Sequence, residues 1–402
     1  MKKMNGTVVG KMKNFMKKET VLCIALLLAV ISAFIVLPDK EYAGYIDFRV
    51  MALLFCLMSV VAGWQELGVF QNICELVTSK VHTMRGLLFS LIVLCFFSSM
   101  LITNDVALIT FVPFTITLLK LVKGEKWMIP TIVLETISAN LGSMLTPIGN
   151  PQNLYLYALS GMSAGEFIAY MLPVAGISFV LILGLLLLQK NKKLAVEKQK
   201  IYGEQKADVS EKGASDWKTD SISGGGLGKQ RKMLLIIYCV LFCICIANVL
   251  HLIGYPIMLV VVLVTLILVN RKLLRKVDYS LLITFIGFFV FIGNMGRIER
   301  VQAFLQQVIG GRELLLGALT SQIISNVPAA MLLSGFTSNY KELIVGVNIG
   351  GLGTIIASMA SLISYKYYAQ CENAHRGSYM KTFLIYNFVL LGLLYGICSL
   401  II

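Results

Sequence analysis

The sequence predicts an all-α polytopic membrane protein, an inverted repeat with two re-entrant helical hairpins, two broken helices and about nine full crossings, N-terminus inside and C-terminus outside. Three observations lead there: the composition, two polar breaks at the centres of long apolar runs, and the placement of the basic residues. Of 402 residues, 57% are hydrophobic and 14% charged. Soluble chains carry roughly 25% charged residues, so a soluble multidomain protein is excluded. The 35 Lys and Arg against 21 Asp and Glu give a formal charge of +14. In a soluble chain that excess would favour nucleic acid; in a membrane chain it belongs to cytoplasmic loops, and no nucleic-acid partner is expected. The nine cysteines form no CxxC pair and read as small apolar fillers.

The elements follow in order. Residues 1–20 are a cytoplasmic basic leader. The run 21–37 resembles a signal peptide, yet no small-residue cleavage site follows it, so it reads as the first crossing. Taking about 20 apolar residues per span, further crossings fall at 48–64, 128–158, 165–189, 233–253, 256–270, 278–296, 342–365 and 380–401. The runs 86–119 and 314–337 are interrupted by Thr103-Asn104-Asp105 and by Ser325-Asn326-Val327-Pro328. Unsatisfied backbone in hydrocarbon costs several kcal/mol per group, so such breaks survive only under protein or in a water-filled cavity. Both runs are therefore read as hairpins that enter and leave on one side. Residues 190–232, rich in Lys, Glu, Gly and Ser, read as a flexible cytoplasmic linker. It separates a first half, 21–189, with hairpin 86–119 and broken helix 128–158, from a linking helix, 233–255. The second half is 256–402, with hairpin 314–337 and broken helix 342–365.

The charges test this layout. With the N-terminus inside, segments 1–20, 65–86, 120–127, 190–232, 271–277 and 366–381 face the cytoplasm. They hold six, two, three, eleven, four and three Lys or Arg, that is 29 of the 35. Counting either hairpin as a crossing would invert everything after it and turn basic loops outward.

Each half contains a crossing, an amphipathic stretch (65–80 and 297–310), a hairpin, a broken helix and a last crossing. Thr103-Asn104-Asp105-Val106-Ala107 echoes Ser325-Asn326-Val327-Pro328-Ala329. Ala139-Asn140-Leu141-Gly142-Ser143 is matched to Gly350-Gly351-Leu352-Gly353-Thr354, a register that sets Gly346 against Glu135. One half starts outside and the other inside, the plan of secondary transporters whose discontinuous helices meet at the midplane.

The two tips, with Leu141-Gly142-Ser143-Met144-Leu145-Thr146-Pro147-Ile148-Gly149-Asn150-Pro151-Gln152-Asn153-Leu154, resemble the ion transporter superfamily. That group includes arsenite permeases, citrate-transporter-like proteins, sodium/proton antiporters and divalent anion/sodium symporters. The symporters carry Ser-Asn-Thr at both tips, whereas this chain has Asp105 and Val327 in third place. The resemblance implies a transport unit built of hairpins and broken helices, a scaffold of the other helices, a homodimer, and elevator-like alternating access.

The site inventory is read from the residues themselves. The stretches 86–119, 128–160, 314–337 and 343–365 contain no Lys, Arg or His. A bound anion must therefore be held by helix N-termini, by neutral side chains or by a co-bound cation. Thr103, Asn104, Ser325, Asn326, Thr146, Asn150, Thr354 and Ser358 are the substrate-binding candidates. Asp105, Glu135, Asn140, Ser143 and Asn153 are the cation-coupling candidates, since an intramembrane acid is costly unless it functions. Pro147 and Pro151 free carbonyls of the preceding turn, so a sodium ion, the one candidate cofactor, is placed at Asn104, Asn140 and Asn150. No Walker motif is present: 224–229 lacks the GxxxxGK[ST] spacing. The expectation is a multi-pass cell-membrane transporter, not an enzyme, moving a small anion such as citrate, a dicarboxylate or an inorganic anion on a sodium or proton gradient. Arsenite or antimonite efflux and sodium/proton antiport are the competing readings.

Overall fold

The computed structural model describes residues 19–78, 81–189, 191–193 and 225–401. Most of the basic leader and most of the 190–232 linker lie outside the described residues. The described chain is helical throughout. α1 (Thr20–Ile35), the short α2 (Tyr42–Tyr45), α3 (Phe48–Glu66) and α4 (Val69–Thr78) come first. α5 (Met84–Ile102) and α6 (Asn104–Leu121) are the two limbs of the first hairpin. The first broken helix is α7 (Met128–Ser143) followed by α8 (Pro151–Ser160), and α9 (Ala164–Leu187) closes the half. After the linker come α10 (Gly225–Val249), α11 (Tyr255–Asn270), α12 (Tyr279–Gly296) and α13 (Glu299–Ile309). The second hairpin is α14 (Glu313–Ile324) with α15 (Asn326–Ser334), the second broken helix is α16 (Tyr340–Ile349) with α17 (Met359–Ala369), and α18 (Arg376–Ile401) ends the chain.

Among the described residues, eight helices are long and apolar enough to cross a membrane: α3, α5, α6, α9, α10, α11 (with the 3-10 turn after it), α12 and α18. The nine expected crossings differ from these in composition. α1 is shorter than this length, and each broken helix is long enough only as a pair of half-helices. The limbs of the first hairpin, 19 and 18 residues, are each nearly 30 Å long at about 1.5 Å per residue. Those of the second are only 12 and 9 residues.

The linking helix is longer than expected, beginning at Gly225 instead of 233, so Gly225 and Gly226 are helical rather than part of a linker. Arg231 supplies a reason: its Nη2 donates to the Leu67 carbonyl at 2.6 Å, at the C-terminus of α3. A guanidinium there satisfies an orphan carbonyl and meets the negative end of the α3 dipole.

The helices sort into two packing groups. α1 lies along α12, while α10 and α11 pack on α3. The hairpins and broken helices pack on one another, α5 and α6 on α7, α14 and α15 on α16, α15 and α16 on α8, and α17 on α6 and α7. α9 and α18 flank this second group through α7. α4 is amphipathic, burying Phe70, Cys74 and Thr78 at a spacing of four against the first hairpin.

The segment between α1 and α3 is clamped by Arg297, whose Nη1 donates to Asp39 Oδ2 at 2.7 Å and to Tyr45 Oη at 3.1 Å. That guanidinium holds the Asp39 carboxyl below its ordinary range. Tyr42 Oη donates to the Val36 carbonyl and accepts from Asn294 Nδ2, which ties the same segment to α12.

Two close helix contacts are made at glycines. A Cβ on Gly142 of α7 would run into the Phe96 carbonyl of α5, and one on Gly350 would meet Ala318 Cα of α14 at 2.8 Å. Gly142→Ala is therefore expected to destabilise the protein by about 1–3 kcal/mol, the usual cost of overpacking. Gly176→Ala, where a Cβ meets nothing within 4 Å, is expected to be neutral or slightly stabilising. Thermal unfolding in detergent measures both, and equal stability of the two variants would contradict the packing.

Candidate functional site

Each hairpin turns at a single residue with positive φ, Thr103 at 68° and Ser325 at 77°. Neither is glycine, and such backbone costs of order 1–3 kcal/mol unless its surroundings over-determine it. The surroundings are the same in both halves. The next backbone N–H leaves its own hairpin and donates to the opposing break: Asn104 N to Gly149 O at 3.2 Å, and Asn326 N to Ala357 O at 2.9 Å. The Asn104 carboxamide oxygen accepts from Asp105 N, and that of Asn326 from Val327 N, both at 3.0 Å. Thr146 Oγ1 donates to Met100 O, and Thr354 Oγ1 to Gln322 O. Met100 and Gln322 each lie three residues before the turn.

These bonds set the correspondence between the halves. Gly149 matches Ala357, Thr146 matches Thr354, and Asn150, the N-cap of α8, matches Ser358, the N-cap of α17. Counting back ten residues from each cap pairs Asn140 with Asn348. The expected register was three residues out. Gly142 corresponds to Gly350, because both are where the broken helix touches the first limb, and Glu135 corresponds to Leu343 rather than to Gly346.

The matched asparagines close a buried network. Asn140 Oδ1 accepts from Asn104 Nδ2 and from Ser358 Oγ, each at 3.0 Å. Asn348 Oδ1 accepts from Asn150 Nδ2 at 3.0 Å, and its own Nδ2 donates to Asn153 Oδ1 at 2.6 Å. The last-turn asparagine of each half is thus bonded to the N-cap residue of the other half. Ser143 Oγ donates to the Asn140 carbonyl at 2.9 Å and accepts from Asn150 Nδ2 at 3.1 Å. Asn140, Ser143, Asn150, Asn153, Asn348 and Ser358 are all buried, at 3% exposure or less. Buried amides satisfied in this way rigidify a core; leaving one unsatisfied would cost about 1–3 kcal/mol.

The carbonyls freed at the breaks also have donors. Asn153 Nδ2 lies 3.1 Å from the carbonyls of Met144 and Thr146 and 3.4 Å from that of Ser143. In the second half the donor comes from the hairpin: Gln322 Nε2 donates to Gly350 O and Leu352 O, each at 2.8 Å, while its Oε1 accepts from Thr354 N at 2.8 Å. The carboxamide oxygens proposed for sodium are likewise engaged. Asn104 accepts from Asp105 N, Asn140 from Asn104 and Ser358, and Asn150 from Asn153 N at 2.8 Å. A cation at this place would have to displace those donors.

So the structure brings together Asn104, Asn140, Ser143, Asn150, Asn153 and Ser358. Thr146 and Thr354 brace the hairpins, Thr103 and Ser325 make the turns, and Ser325 Oγ reaches toward Ala357 O at 3.4 Å. Asn326 caps its own tip beside Gly351, where a Cβ would stand 3.0 Å from the Asn326 Nδ2. The two acids stand apart from the amides. Asp105 keeps one buried oxygen, Oδ1, without a hydrogen-bond partner. Glu135 is fully buried and accepts from Thr115 Oγ1 at 2.5 Å. Asn348 and Gln322 were not anticipated from the sequence, although Asn348 was within reach of it, ten residues before Ser358 just as Asn140 precedes Asn150.

Comparison with known proteins points to membrane transporters. Residues 12–342 match the model of the citrate transporter family. An uncharacterized transporter of Methanocaldococcus jannaschii is 31% identical over 332 residues, covering 82% of this chain and 84% of the relative. The inner membrane protein YbiR of Escherichia coli is 31% identical over 342 residues, 84% of each chain. A shorter match, 31% identical over 141 residues, covers 35% of this chain and 28% of the silicon efflux transporter LSI3 of Oryza sativa subsp. japonica. The chain belongs to the citrate transporter family, whose members are membrane transporters and not enzymes.

The Asn150–Asn348 bond makes a direct test of the cross-half contact. Asn150→Ala and Asn348→Ala are expected to be non-additive in a double-mutant cycle of unfolding free energy, with a coupling of roughly 0.5–3 kcal/mol. Additive effects would mean that the two side chains do not bond.

Proposed function

We propose that this member of the citrate transporter family is a secondary active transporter of a small anion, a carboxylate such as citrate or an inorganic oxyanion, driven by a sodium or proton gradient. The observation that carries the reading is the reciprocal amide network, in which each broken helix is bonded to the opposite half with no cationic side chain nearby. A carboxylate entering between the tips has amide and hydroxyl donors to receive it at Asn104, Asn326 and Ser358. It also meets the positive ends of α6, α15, α8 and α17, which begin at the tips and breaks. Exchanging amide–amide bonds for amide–carboxylate bonds makes binding reversible, since neither state leaves a buried donor idle.

The topology proposed with it is an inverted repeat, N-terminus inside, C-terminus outside, with both hairpins re-entrant. For the first hairpin, whose limbs are long enough to span, the support is its tip: Asn104 N ends on Gly149, in the middle of a broken helix that needs both its halves to cross. The 29 basic residues on one side favour the same parity. α5–α8 and α14–α17 form the moving transport unit, and α1, α3 and α10–α12 the scaffold of a homodimer in the cell membrane. Residues 1–20 and 190–224 are a cytoplasmic leader and linker. Asp105 and Glu135 carry the coupling, as uncompensated carboxyls within the membrane.

A second reading has its own support. The match to a silicon efflux transporter over 141 residues, together with a site of neutral donors only, suits export of an uncharged oxyacid such as arsenite or antimonite.

Proteoliposomes separate these. Labelled citrate, succinate, sulfate and arsenite are offered under imposed sodium or proton gradients, and gradient-driven citrate or succinate flux is the expected result. Arsenite flux alone would move the assignment to the second reading, and cation exchange with no flux of any of the four would sink both. Asn104→Ala and Asn326→Ala are each expected to abolish flux with folded protein retained. Asp105→Asn is expected to change the gradient dependence more than the substrate affinity; an unchanged gradient response would remove Asp105 from coupling.

A further inference from the structure

A cavity of about 510 Å³ opens where four helix ends meet: α3 begins at Phe48, α8 ends at Ser160, α11 begins at Tyr255 and α12 ends at Gly296. Small-ligand sites occupy roughly 300–1,000 Å³, so a small molecule fits here. Tyr155 and Phe289 are buried at its floor, and Arg49 and Leu159 are exposed at its rim. The Tyr155 ring stands edge-on to Phe289 with centroids 5.7 Å apart, and its hydroxyl lies 2.9 Å from Ser334 Oγ of α15. Another wall is the segment before α3 that Arg297 clamps through Asp39 and Tyr45. Arg49 is the one cation lining the cavity, and among the described residues its guanidinium has no hydrogen bond or ion pair. The one acid there, Asp47, is engaged as the N-cap of α3. Its Oδ1 accepts from Arg49 N at 2.9 Å and from Val50 N at 3.1 Å, beside the positive end of that helix. The uncompensated charge in the cavity is therefore the guanidinium.

We propose that this cavity is a capture site for a small carboxylate or oxyanion, anchored by the Arg49 guanidinium and lying ahead of the amide network. The inference rests on the reading of the chain as an anion transporter and deepens it by placing the first contact of the substrate. A guanidinium presents its N–H donors in a planar fork that pairs bidentately with a carboxylate. The cavity lies between the two packing groups: Tyr155 and Leu159 belong to α8 of the transport unit, and Arg49, Tyr255 and Phe289 to the scaffold. Along α8 it is close to the amides, since Tyr155 is five residues, about 7.5 Å of helix, beyond the cap Asn150. The arrangement follows from charge. The amide centre is neutral and attracts an anion only at contact, whereas a cation at the mouth raises the local anion concentration and the encounter rate beforehand. A cation inside the moving unit would hold the anion through the crossing and slow its release. Arg49 stands on the scaffold, so it gives up the anion when α8 carries the site away. In the proposed topology this mouth is on the outer surface.

Leu159→Cys puts a thiol at the rim of the full-length protein. Its modification is followed with two methanethiosulfonates, one anionic (sulfonatoethyl) and one cationic (trimethylammonium-ethyl), against a parent with Leu159 intact. Adding Arg49→Gln is expected to lower the ratio of the anionic to the cationic rate by roughly 10-fold at low salt, and by less at high salt. An unchanged ratio overturns the proposal. Citrate in excess is expected to slow the anionic reagent in Leu159→Cys and to lose that protection once Arg49→Gln is added. Protection that is absent from the first variant, or persists in the second, overturns the proposal equally. Should Arg49→Gln fail to fold, Gly44→Asp serves, because a Cβ at Gly44 meets nothing within 4 Å. An acid at the rim is expected to depress both the ratio and the protection, and no change in either counts against capture. In proteoliposomes, Arg49→Gln is expected to lower kcat/KM for citrate by roughly 10-fold at low ionic strength, with the loss shrinking as salt is added and Arg49→Lys restoring most of it. A loss of equal size at every salt concentration contradicts the proposal. Wild-type protein that moves no citrate refutes the transport reading, and the labelling arms, which need no flux, then decide Arg49.

Discussion

A backbone N–H inside hydrocarbon must find an acceptor, and the two helix turns at Thr103 and Ser325 solve that problem identically, by donating the next N–H across to the opposing break. Much of the rest is a consequence. The break supplies the carbonyl, so it must unwind there; the turn must come close, so the helix beside it carries a glycine, Gly142 or Gly350, where the limb passes. The threonines at 146 and 354 add a second strut to the same place. A hairpin and a broken helix are therefore bonded into one unit in each half.

The centre of the molecule is polar but uncharged. Its carboxamides bond to one another across the halves, through Asn140 with Ser358 and Asn348 with Asn150, which makes the centre the place where the two repeats know of each other. Amides suit this role because each has donors and acceptors and can rearrange among partners without desolvating a charge. The buried carboxyls stand outside this amide network, on Asp105, Glu135 and Glu313, each with an oxygen that no protein donor reaches.

Both tips and both breaks were legible in the sequence, since Asn, Asp, Ser and Pro in the middle of a long apolar run cost too much in lipid unless the helix is interrupted and covered there. So were most helix bounds, because burial in lipid forces long apolar runs. What was less legible depended on pairing rather than on composition. Asn348 is a single polar residue in an apolar helix, and the glycine-rich run after it drew the comparison of the halves three residues out of register. Gln322 looks like one more polar residue on a hairpin limb until its amide is seen between two carbonyls. Glu313, beside Arg312 and just after a glycine pair, has the sequence context of a surface loop; only the packing of α14 on α16 buries it. The early start of α10 depends on Arg231 reaching a carbonyl of another helix, which no local signal announces.

The two breaks are secured by amides of different origin: Asn153 belongs to the broken helix it braces, whereas Gln322 belongs to the hairpin opposite. What the two halves share is the satisfied carbonyl and not the residue that satisfies it. The practical effect is a difference in wiring: motion of the second hairpin pulls on its break through Gln322, while the first break keeps its own brace when its hairpin shifts. The two hairpins are tied to their breaks by different means, so the two halves need not be equally stiff.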